Sequence, residues 1–301
     1  MYWDPTDPDK KNPYRKQKAT ISISSKKAAT AEYGTSYNIK SGVTAKDKIT
    51  KRSLTSKVTY GVTKYSNGKY KKAKFSTKSL GTYRIKYAVK SSLGVTTTKT
   101  FTVRVVDTKA PVITAKDRTV NINTTNAVSG VSAKMKSGKS VTSSMSVKIQ
   151  APGENSYTTY SYAKAKAYKF TKAGTYYVQY VAKNVNKPNR AATKNVKITV
   201  LGDAVIKSTK AVTVKDSATD DQIKAAVCEA ITITDNGTTV KSTAATVTVS
   251  KDTETGVITA TVSYKGKNGK TVTYKVTVTV NNVEQEAQQS AEEQTDQPVE
   301  Q

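Results

Sequence analysis

Several residue types that carry chemistry are scarce or missing in this sequence of 301 residues. It has no histidine and a single cysteine, Cys228. The absence of histidine removes the commonest metal ligand and the commonest general base. A lone cysteine excludes an internal disulfide framework and a cysteine-rich metal site. No apolar run approaches the ~20 residues of a membrane-spanning helix, so the sequence predicts no transmembrane segment.

Acidic residues are also rare over most of the chain. The only glutamates in the first 202 residues are Glu32 and Glu154, which lie in non-equivalent regions. A glycosidase needs two carboxyl groups within ~10 Å of each other. We therefore expect no catalytic residues, no metal and no cofactor, and we interpret the chain as a protein without enzymatic activity.

Positive charge is abundant and unevenly spread. The chain has 50 Lys and Arg against 22 Asp and Glu, a net charge of +28. Residues 1–107 carry 24 basic and 6 acidic residues, residues 108–202 carry 16 and 2, residues 203–283 carry 10 and 8, and residues 284–301 carry 0 and 6. A field of this kind attracts polyanions such as teichoic acid, acidic polysaccharide, nucleic acid or anionic lipid.

The pattern of apolar residues predicts β-strands. Tyr83, Ile85 and Tyr87 alternate with polar residues, and so do Tyr176, Val178 and Tyr180. Period-two alternation buries one face of a sheet and leaves the other in water. Asn67-Gly68 between two tyrosines predicts a tight hairpin turn, because both residues tolerate positive φ.

An internal repeat sets the organisation of the chain. Residues 42–47 return as residues 130–135, an offset of 88, and residues 81–87 return as residues 174–180, an offset of 93. A nearly constant offset indicates two copies of one domain. Each copy is close to the ~100 residues of an immunoglobulin-like sandwich.

The repeat divides the sequence into five predicted parts, and very short joints between the domains predict a semi-rigid rod. These parts are an extended leader at 1–16, immunoglobulin-like domains at 17–107, 108–202 and 203–283, and a disordered acidic tail at 284–301. Asp107 and Asp203 lie at the joints. Calcium needs about six to eight oxygen ligands, so we interpret these two isolated aspartates as turn caps.

The third domain differs from the other two. Thr219 and Gln222 have the spacing of a helix-capping box, and a short apolar face follows at Ile223, Ala226, Val227 and Ala230. Alternating valines return towards residue 280. We therefore predict a β-rich sandwich with one short helix, which makes the fold class all-β throughout.

The two repeats resemble the bacterial immunoglobulin-like domains related to hyalin repeats. The resemblance covers residues 20–202 and is carried by Gly34, residues 42–47, Leu54-Thr55, Gly81-Thr82-Tyr83, Tyr87 and the joint at 107–113. It implies tandem sandwiches of a secreted or wall-associated protein of Gram-positive bacteria. Where the family has an acidic residue after the strand-F tyrosines, this chain has Ser91 and Asn184.

Four tyrosines have a predicted structural role. In immunoglobulin-like folds a tyrosine opens strand F and its hydroxyl bonds back to the backbone, two residues before a cysteine. Tyr83 and Tyr176 take that place, and Ile85 and Val178 replace the cysteine. The structural tyrosines are Tyr83, Tyr87, Tyr176 and Tyr180.

Lysines mixed with tyrosines form two candidate binding clusters for a polyanion or glycan. The residues of these clusters are Lys69, Tyr70, Lys71, Lys72 and Lys74, then Tyr160, Tyr162, Lys164, Lys166 and Lys169. Such mixtures suit sugar stacking combined with anion attraction. Because arginine, which suits forked phosphate contacts, is scarce, we expect diffuse retention on an anionic polymer and no specific nucleic-acid binding.

These observations favour a surface-exposed or secreted structural and adhesion module. Its predicted partner is an anionic cell-wall polymer or polysaccharide, with a host glycan or surface protein as a further possibility. A signal peptide is not visible at residues 1–16. Two alternatives stay open: a decoration protein of a phage or virion, and the accessory region of a larger secreted hydrolase.

Overall fold

The structure is a computed structural model that describes residues 17–281. The predicted leader at 1–16 and the predicted acidic tail at 284–301 lie outside the described residues. Between residues 17 and 281, none of the helices combines the length and the apolar character that crossing a membrane requires.

The secondary structure is almost entirely β, which confirms the predicted class. We call residues 17–107 the first repeat, residues 108–202 the second repeat and residues 203–281 the third block. Every sheet is built from strands of one of these three ranges. By spatial proximity the chain forms two compact units, one with residues 17–114, 131–145 and 181–194, the other with residues 115–130, 146–180 and 195–281. The domain boundaries at 107/108 and 202/203 stay predictions.

The first repeat contains one two-stranded and one five-stranded sheet. Its strands are β1 (Thr20–Ile23), β2 (Thr30–Glu32), β3 (Val43–Lys46), β4 (Thr59–Ser66), β5 (Lys69–Lys72), β6 (Gly81–Lys90) and β7 (Thr96–Val106). β1 pairs with β3, and the larger sheet has the order β2-β7-β6-β4-β5, with β2 parallel to β7. Ile21 and Ala45 of the small sheet share a core cluster with Tyr83, Ile85 and Val103 of the large one. The first repeat is therefore a sandwich with a buried centre.

The second repeat has the same strand order. Its elements are β8 (Val112–Thr114), β9 (Arg118–Asn121), β10 (Ser132–Lys134), β11 (Ser146–Gln150), β12 (Thr158–Ser161), α1 (Tyr162–Lys166), β13 (Gly174–Lys183) and β14 (Ala191–Leu201). β8 pairs with β10, and the five-stranded sheet runs β9-β14-β13-β11-β12, with β9 parallel to β14. The repeat in the sequence is thus a repeat in topology.

The third block follows the same plan with a helix inserted. Its elements are β15 (Val205–Ser208), β16 (Val212–Lys215), α2 (Asp220–Ala230), β17 (Ile231–Asp235), β18 (Thr238–Val240), β19 (Thr246–Lys251), β20 (Ile258–Lys265) and β21 (Thr271–Asn281). The sheets are β15-β17-β18 and β16-β21-β20-β19. Ile223 and Val227 of α2 belong to one core cluster with Ile233, Val262 and Val278.

Two local predictions are confirmed in backbone detail. The capping box of α2 is present: the Thr219 hydroxyl accepts from the Gln222 amide, and the Gln222 side chain accepts from the Thr219 amide. Asn67 and Gly68 have φ of 49° and 78° between β4 and β5. Both values are positive, as a primed hairpin turn requires.

The glycine of each Gly-Thr-Tyr triplet has a conformational reason. Gly81 and Gly174 open β6 and β13 with φ of 131° and 126°. Side chains rarely tolerate this backbone region, whereas glycine enters it freely. A Cβ at Gly81 would also come within 3.0 Å of the Lys64 side chain.

Candidate functional site

The first predicted cluster lies on β5, except for Lys74 just after it, and strand register divides the β5 residues between two faces. Residues directly opposite each other in an antiparallel pair share a face. Thr63 of β4 faces Lys72 on one side and Arg84 on the other. Tyr70 and Lys72 therefore share the outer face with Arg84, while Lys69 and Lys71 point to the opposite face, where Lys71 faces Lys64.

β5 leaves part of its neighbour uncovered, and this opens a groove. β5 pairs only with residues 63–66 of β4. Just before them the Val62 carbonyl accepts from the Ala73 amide at 3.1 Å, and the chain then turns away. A groove of about 980 Å³ lies along the uncovered part of β4, with Tyr60 and Gly61 in its wall.

Four cationic side chains line this groove, which we call the β4 groove. They are Lys72, Lys74, Arg84 and Lys86, all exposed, and none of the lining residues is acidic. The Arg84 guanidinium lies over the Tyr70 ring, 3.8 Å from the ring centroid. A stacked guanidinium keeps the donors at its edges free for a carboxylate or phosphate.

The nearby carboxylates do not neutralise this charge, because they are engaged elsewhere. Residues 17–106 contain only two acids, Glu32 and Asp47. Glu32 accepts hydrogen bonds from the amide and hydroxyl of Thr108 at 2.6 and 2.7 Å. Asp47 is buried and accepts from the Ser92, Thr50 and Ile49 amides, and these N–H groups, Ser92 first, hold its pKa well below the usual range.

Aromatic rings form the other wall of the groove. Tyr37 and Phe75 pack at 5.4 Å between centroids, and Phe75 packs on the core residue Tyr83 at 5.1 Å. Tyr60 is 44% exposed, and the Lys40 ammonium lies 5.5 Å from its ring centroid. Tyr60 is opposite the buried Tyr87, so its ring lies on the other side of β4 from Arg84 and Lys86, at the open edge where an incoming sugar could contact it.

The second predicted cluster is built differently. Lys164, Lys166 and Lys169 are exposed on and after α1, and the Lys166 ammonium lies 5.8 Å from the Tyr162 ring centroid. The Ser161 hydroxyl caps α1 by accepting from the Lys164 amide.

One of the two rings of this second cluster, Tyr160, packs on the neighbouring Tyr168. Tyr168 contacts Tyr160, Phe170 and Tyr176 at centroid distances of 5.6, 5.0 and 6.2 Å. Burial, as the largest cause, raises the pKa of Tyr168. The cluster therefore presents lysines to solvent, and Tyr160 is linked through Tyr168 to the buried Phe170 and Tyr176.

The four structural tyrosines lie in the core and bond to backbone. The Tyr83 hydroxyl donates to the Ser79 carbonyl at 3.0 Å, and the Tyr176 hydroxyl accepts from the Lys172 amide at 3.1 Å. The Tyr87 hydroxyl donates to the Ile39 carbonyl, and the Tyr180 hydroxyl donates to the Val128 carbonyl at 3.0 Å.

Asp107, at the predicted joint, is fully buried, and within the described residues one of its two carboxylate oxygens, Oδ1, has no hydrogen-bond partner. Its carboxylate accepts from the Ser137 amide at 2.7 Å. The Asn184 side-chain amide donates to the carbonyls of Asp107 and Lys109 at 3.2 and 2.7 Å.

Asn184 uses its whole side chain at this joint. Its side-chain oxygen accepts from the backbone amides of Asn186 and Lys187 at 2.7 and 3.0 Å, which fixes the orientation of the group. Its nitrogen then points at the two carbonyls, where a cation would need oxygen ligands. Within the part of the chain that the structure describes, no three His, Cys, Asp or Glu residues gather as a metal site.

Lys72 and Lys74 were among the sequence-predicted candidates, whereas the two groove cations of β6 were not. Arg84 and Lys86 occupy outward positions of β6, between the buried Tyr83, Ile85 and Tyr87. Their alternation with the core residues was a usable signal. The opening beside Tyr60 had no such signal, because it depends on where β5 stops pairing.

The chain matches no protein-family model and no curated protein sequence. Among solved structures it is similar to the protocadherin gammaB7 EC3-6 cis-dimer, at 14% identity and a TM-score of 0.34, over 88% of this chain and 76% of that chain. It is also similar to human CDH23 EC21-23, at 12% identity and a TM-score of 0.37, over 83% and 96% of the two chains. A third similar structure is mouse cadherin-23 EC22-24, at 10% identity and a TM-score of 0.32, over 89% and 100%. Identities and scores this low say nothing of function, and the case for function rests on the groove.

Proposed function

We propose that the chain is a non-catalytic extracellular module for structure and adhesion that holds an anionic polymer in the β4 groove. The observation that carries the proposal is the set of four cationic side chains around one opening whose lining contains no carboxylate. A concave site with uncompensated charge of one sign concentrates ligands of the opposite sign.

The groove suits a polymer segment in size and chemistry. Its volume of about 980 Å³ is at the upper end of the ~300–1,000 Å³ of small-molecule sites. Arg84 offers forked donors to a phosphate or carboxylate, and Tyr60 offers a ring to a sugar face. A teichoic acid or an acidic polysaccharide of a cell wall has both kinds of group.

A binding function fits this groove better than catalysis does. The lining offers neither the carboxylate pair of a glycosidase nor a histidine base. We propose that the second cluster, with Lys164, Lys166 and Lys169, adds only diffuse attraction, because its Tyr160 ring packs on Tyr168 and its Tyr162 ring lies beside the Lys166 ammonium.

The test is binding to Gram-positive cell walls, with and without teichoic acid, across a salt series. The wild-type chain should bind polymer-bearing walls at low salt and release them as salt rises. The double variant Arg84→Glu with Lys86→Glu should bind at least about tenfold more weakly. Both residues are exposed, so the fold should survive, which circular dichroism would check.

A matched control separates the groove from net charge. Lys265→Glu with Lys275→Glu makes the same change of charge at two exposed positions of β20 and β21. This control should bind nearly as well as the wild type. Equal losses in both double variants, or no binding of the wild type at low salt, would remove the groove as the binding site.

A further inference from the structure

The sequence contains one long acidic segment, of opposite sign to the groove. Residues 284–301 have six acids and no Lys or Arg. The acids are Glu284, Glu286, Glu292, Glu293, Asp296 and Glu300. No other stretch of the chain gathers as many acids without an intervening basic residue.

Several carboxylates of the third block are already matched to partners. Asp203 forms an ion pair with Lys270 at 2.6 Å and accepts from the Asn268 side chain. Asp235 is buried and accepts from the Tyr264 hydroxyl and the Lys267 amide. Because these groups already have partners, they are poor counter-charges for another basic site, whereas residues 284–301 contain six acids and no basic residue.

We propose that the β4 groove of one copy binds residues 284–301 of a second copy. An extended segment of 18 residues spans up to ~60 Å, at about 3.3–3.6 Å per residue, so several carboxylates can meet Lys72, Lys74, Arg84 and Lys86 together. The segment contains no bulky aromatic residue that the groove would have to accommodate.

The contact joins the groove of one copy to residues 284–301 of another copy. Because these are two different parts of the chain, the contact is heterologous. Heterologous contacts produce rings or open head-to-tail assemblies, and the average size of an open assembly grows with protein concentration. The inference rests on the proposed function in one respect, namely that the groove binds anions. It adds that residues 284–301 compete with the polymer and regulate adhesion.

The experiment uses full chains with two complementary defects. The groove-reversed chain carries Arg84→Glu and Lys86→Glu. The neutral-segment chain carries Glu284→Gln, Glu286→Gln, Glu292→Gln, Glu293→Gln, Asp296→Asn and Glu300→Gln. Sedimentation velocity at low and high salt reports the mass of each chain alone and of the two mixed.

At low salt the wild type should self-associate, with an average mass that rises at least about twofold with concentration and falls again at high salt. Each defective chain alone should stay monomeric. Their mixture should form a one-to-one complex, because one partner keeps the groove and the other keeps the acidic segment. The Lys265→Glu, Lys275→Glu control should associate like the wild type.

Three results would overturn the inference: a wild type that stays monomeric at every concentration, a neutral-segment chain that associates like the wild type, or a mixture that forms no complex. Wall binding is measured on the neutral-segment chain in parallel. Wall binding without complex formation leaves the proposed function standing and removes the inference. A complex without wall binding leaves the inference standing and removes the proposed function.

Discussion

The two repeats share one strand order but differ in where the second hairpin strand pairs. In the first repeat, β5 pairs with residues 63–66 of β4. In the second, β12 pairs with residues 146–149 of β11, which lie 87 positions after residues 59–62. The stretch of β4 left open in one repeat is thus the stretch covered in the other. A shift in hairpin pairing, with the topology unchanged, separates an open groove from a closed edge.

The residues at the matching positions agree with this difference. Tyr60 is 44% exposed beside the groove, whereas its counterpart Val147 is fully buried. Gly61 is matched by Lys148, so the first repeat has no side chain where the second has a long one. The tight Asn67-Gly68 turn keeps β5 next to the far end of β4.

The largest expected effect concerns the phenylalanine of each ring cluster. Phe170 is fully buried between Tyr168 and Tyr176, so Phe170→Ala should cost ~3–5 kcal/mol of unfolding free energy. Phe75 is half-buried in the groove wall, and Phe75→Ala should cost less, about 1–2 kcal/mol. Urea unfolding followed by circular dichroism measures both. Equal losses would mean that the first-repeat groove is packed as tightly as the second-repeat edge.

Local rules account for what the sequence could predict. The all-β class and the turn at Asn67-Gly68 depend on alternation and on positive φ, which are properties of neighbouring residues, and the repeat was visible as a recurring sequence pattern. The capping box at Thr219 is equally local. These local features could be predicted because the tertiary contacts of the folded chain agree with the local preferences and do not override them.

The groove could not be predicted in the same way, because it depends on non-local pairing. The sequence marked Lys69 to Lys74 as one cluster, but register divides them between two faces. Arg84 and Lys86 reach the site from another strand, 12 or more positions away from Lys72. The β4 groove opens where β5 stops pairing with β4, and the lysines on and just after β5 then meet the cations of β6 at the same opening.

The next effect concerns Asn184, whose equivalent position in the first repeat is Ser91. Asn184→Asp replaces a donor to the Asp107 and Lys109 carbonyls with a carboxylate, which should cost about 1–3 kcal/mol. The exposed Asn189→Asp is the matched control and should cost little. Unfolding is measured with and without calcium. If calcium restored the stability of Asn184→Asp, the joint would be a metal site lacking one ligand, contrary to our interpretation.

A pH effect should be shared by the two repeats. Burial, followed by the charge of Tyr37, raises the pKa of Tyr87 to about 12, and burial also raises the pKa of its counterpart Tyr180. A raised folded-state pKa gives stability that is complete below the unfolded value near 10 and is lost as pH rises towards 12.

Absorbance of the phenolate measures this titration directly. Tyr87 and Tyr180 should ionise above the usual tyrosine pKa of ~10, together with unfolding, because both are buried. The 45% exposed Tyr177 offers a control position for substitution. Tyr87→Phe should weaken the dependence of stability on pH between about 10 and 12, while Tyr177→Phe should leave it unchanged. Ionisation of all tyrosines in one step near pH 10 would contradict the buried positions.

The smallest effect tests the groove by partly closing it. Gly61 has no atom within 4 Å of an added Cβ and lies in a strand, so Gly61→Val should stabilise the chain by ~0.5–1 kcal/mol. The same side chain narrows the opening, so wall binding should fall about threefold. Thr248→Val introduces a valine at an exposed position of β19, outside the groove, and should leave wall binding unchanged. At Gly61 the free energy of unfolding should therefore rise while the affinity for walls falls. The reason is that a sheet edge left open for a ligand has fewer packing contacts. If Gly61→Val bound walls as tightly as the wild type, the first repeat would resemble the second in function, and the open edge of β4 would be a feature of the fold alone.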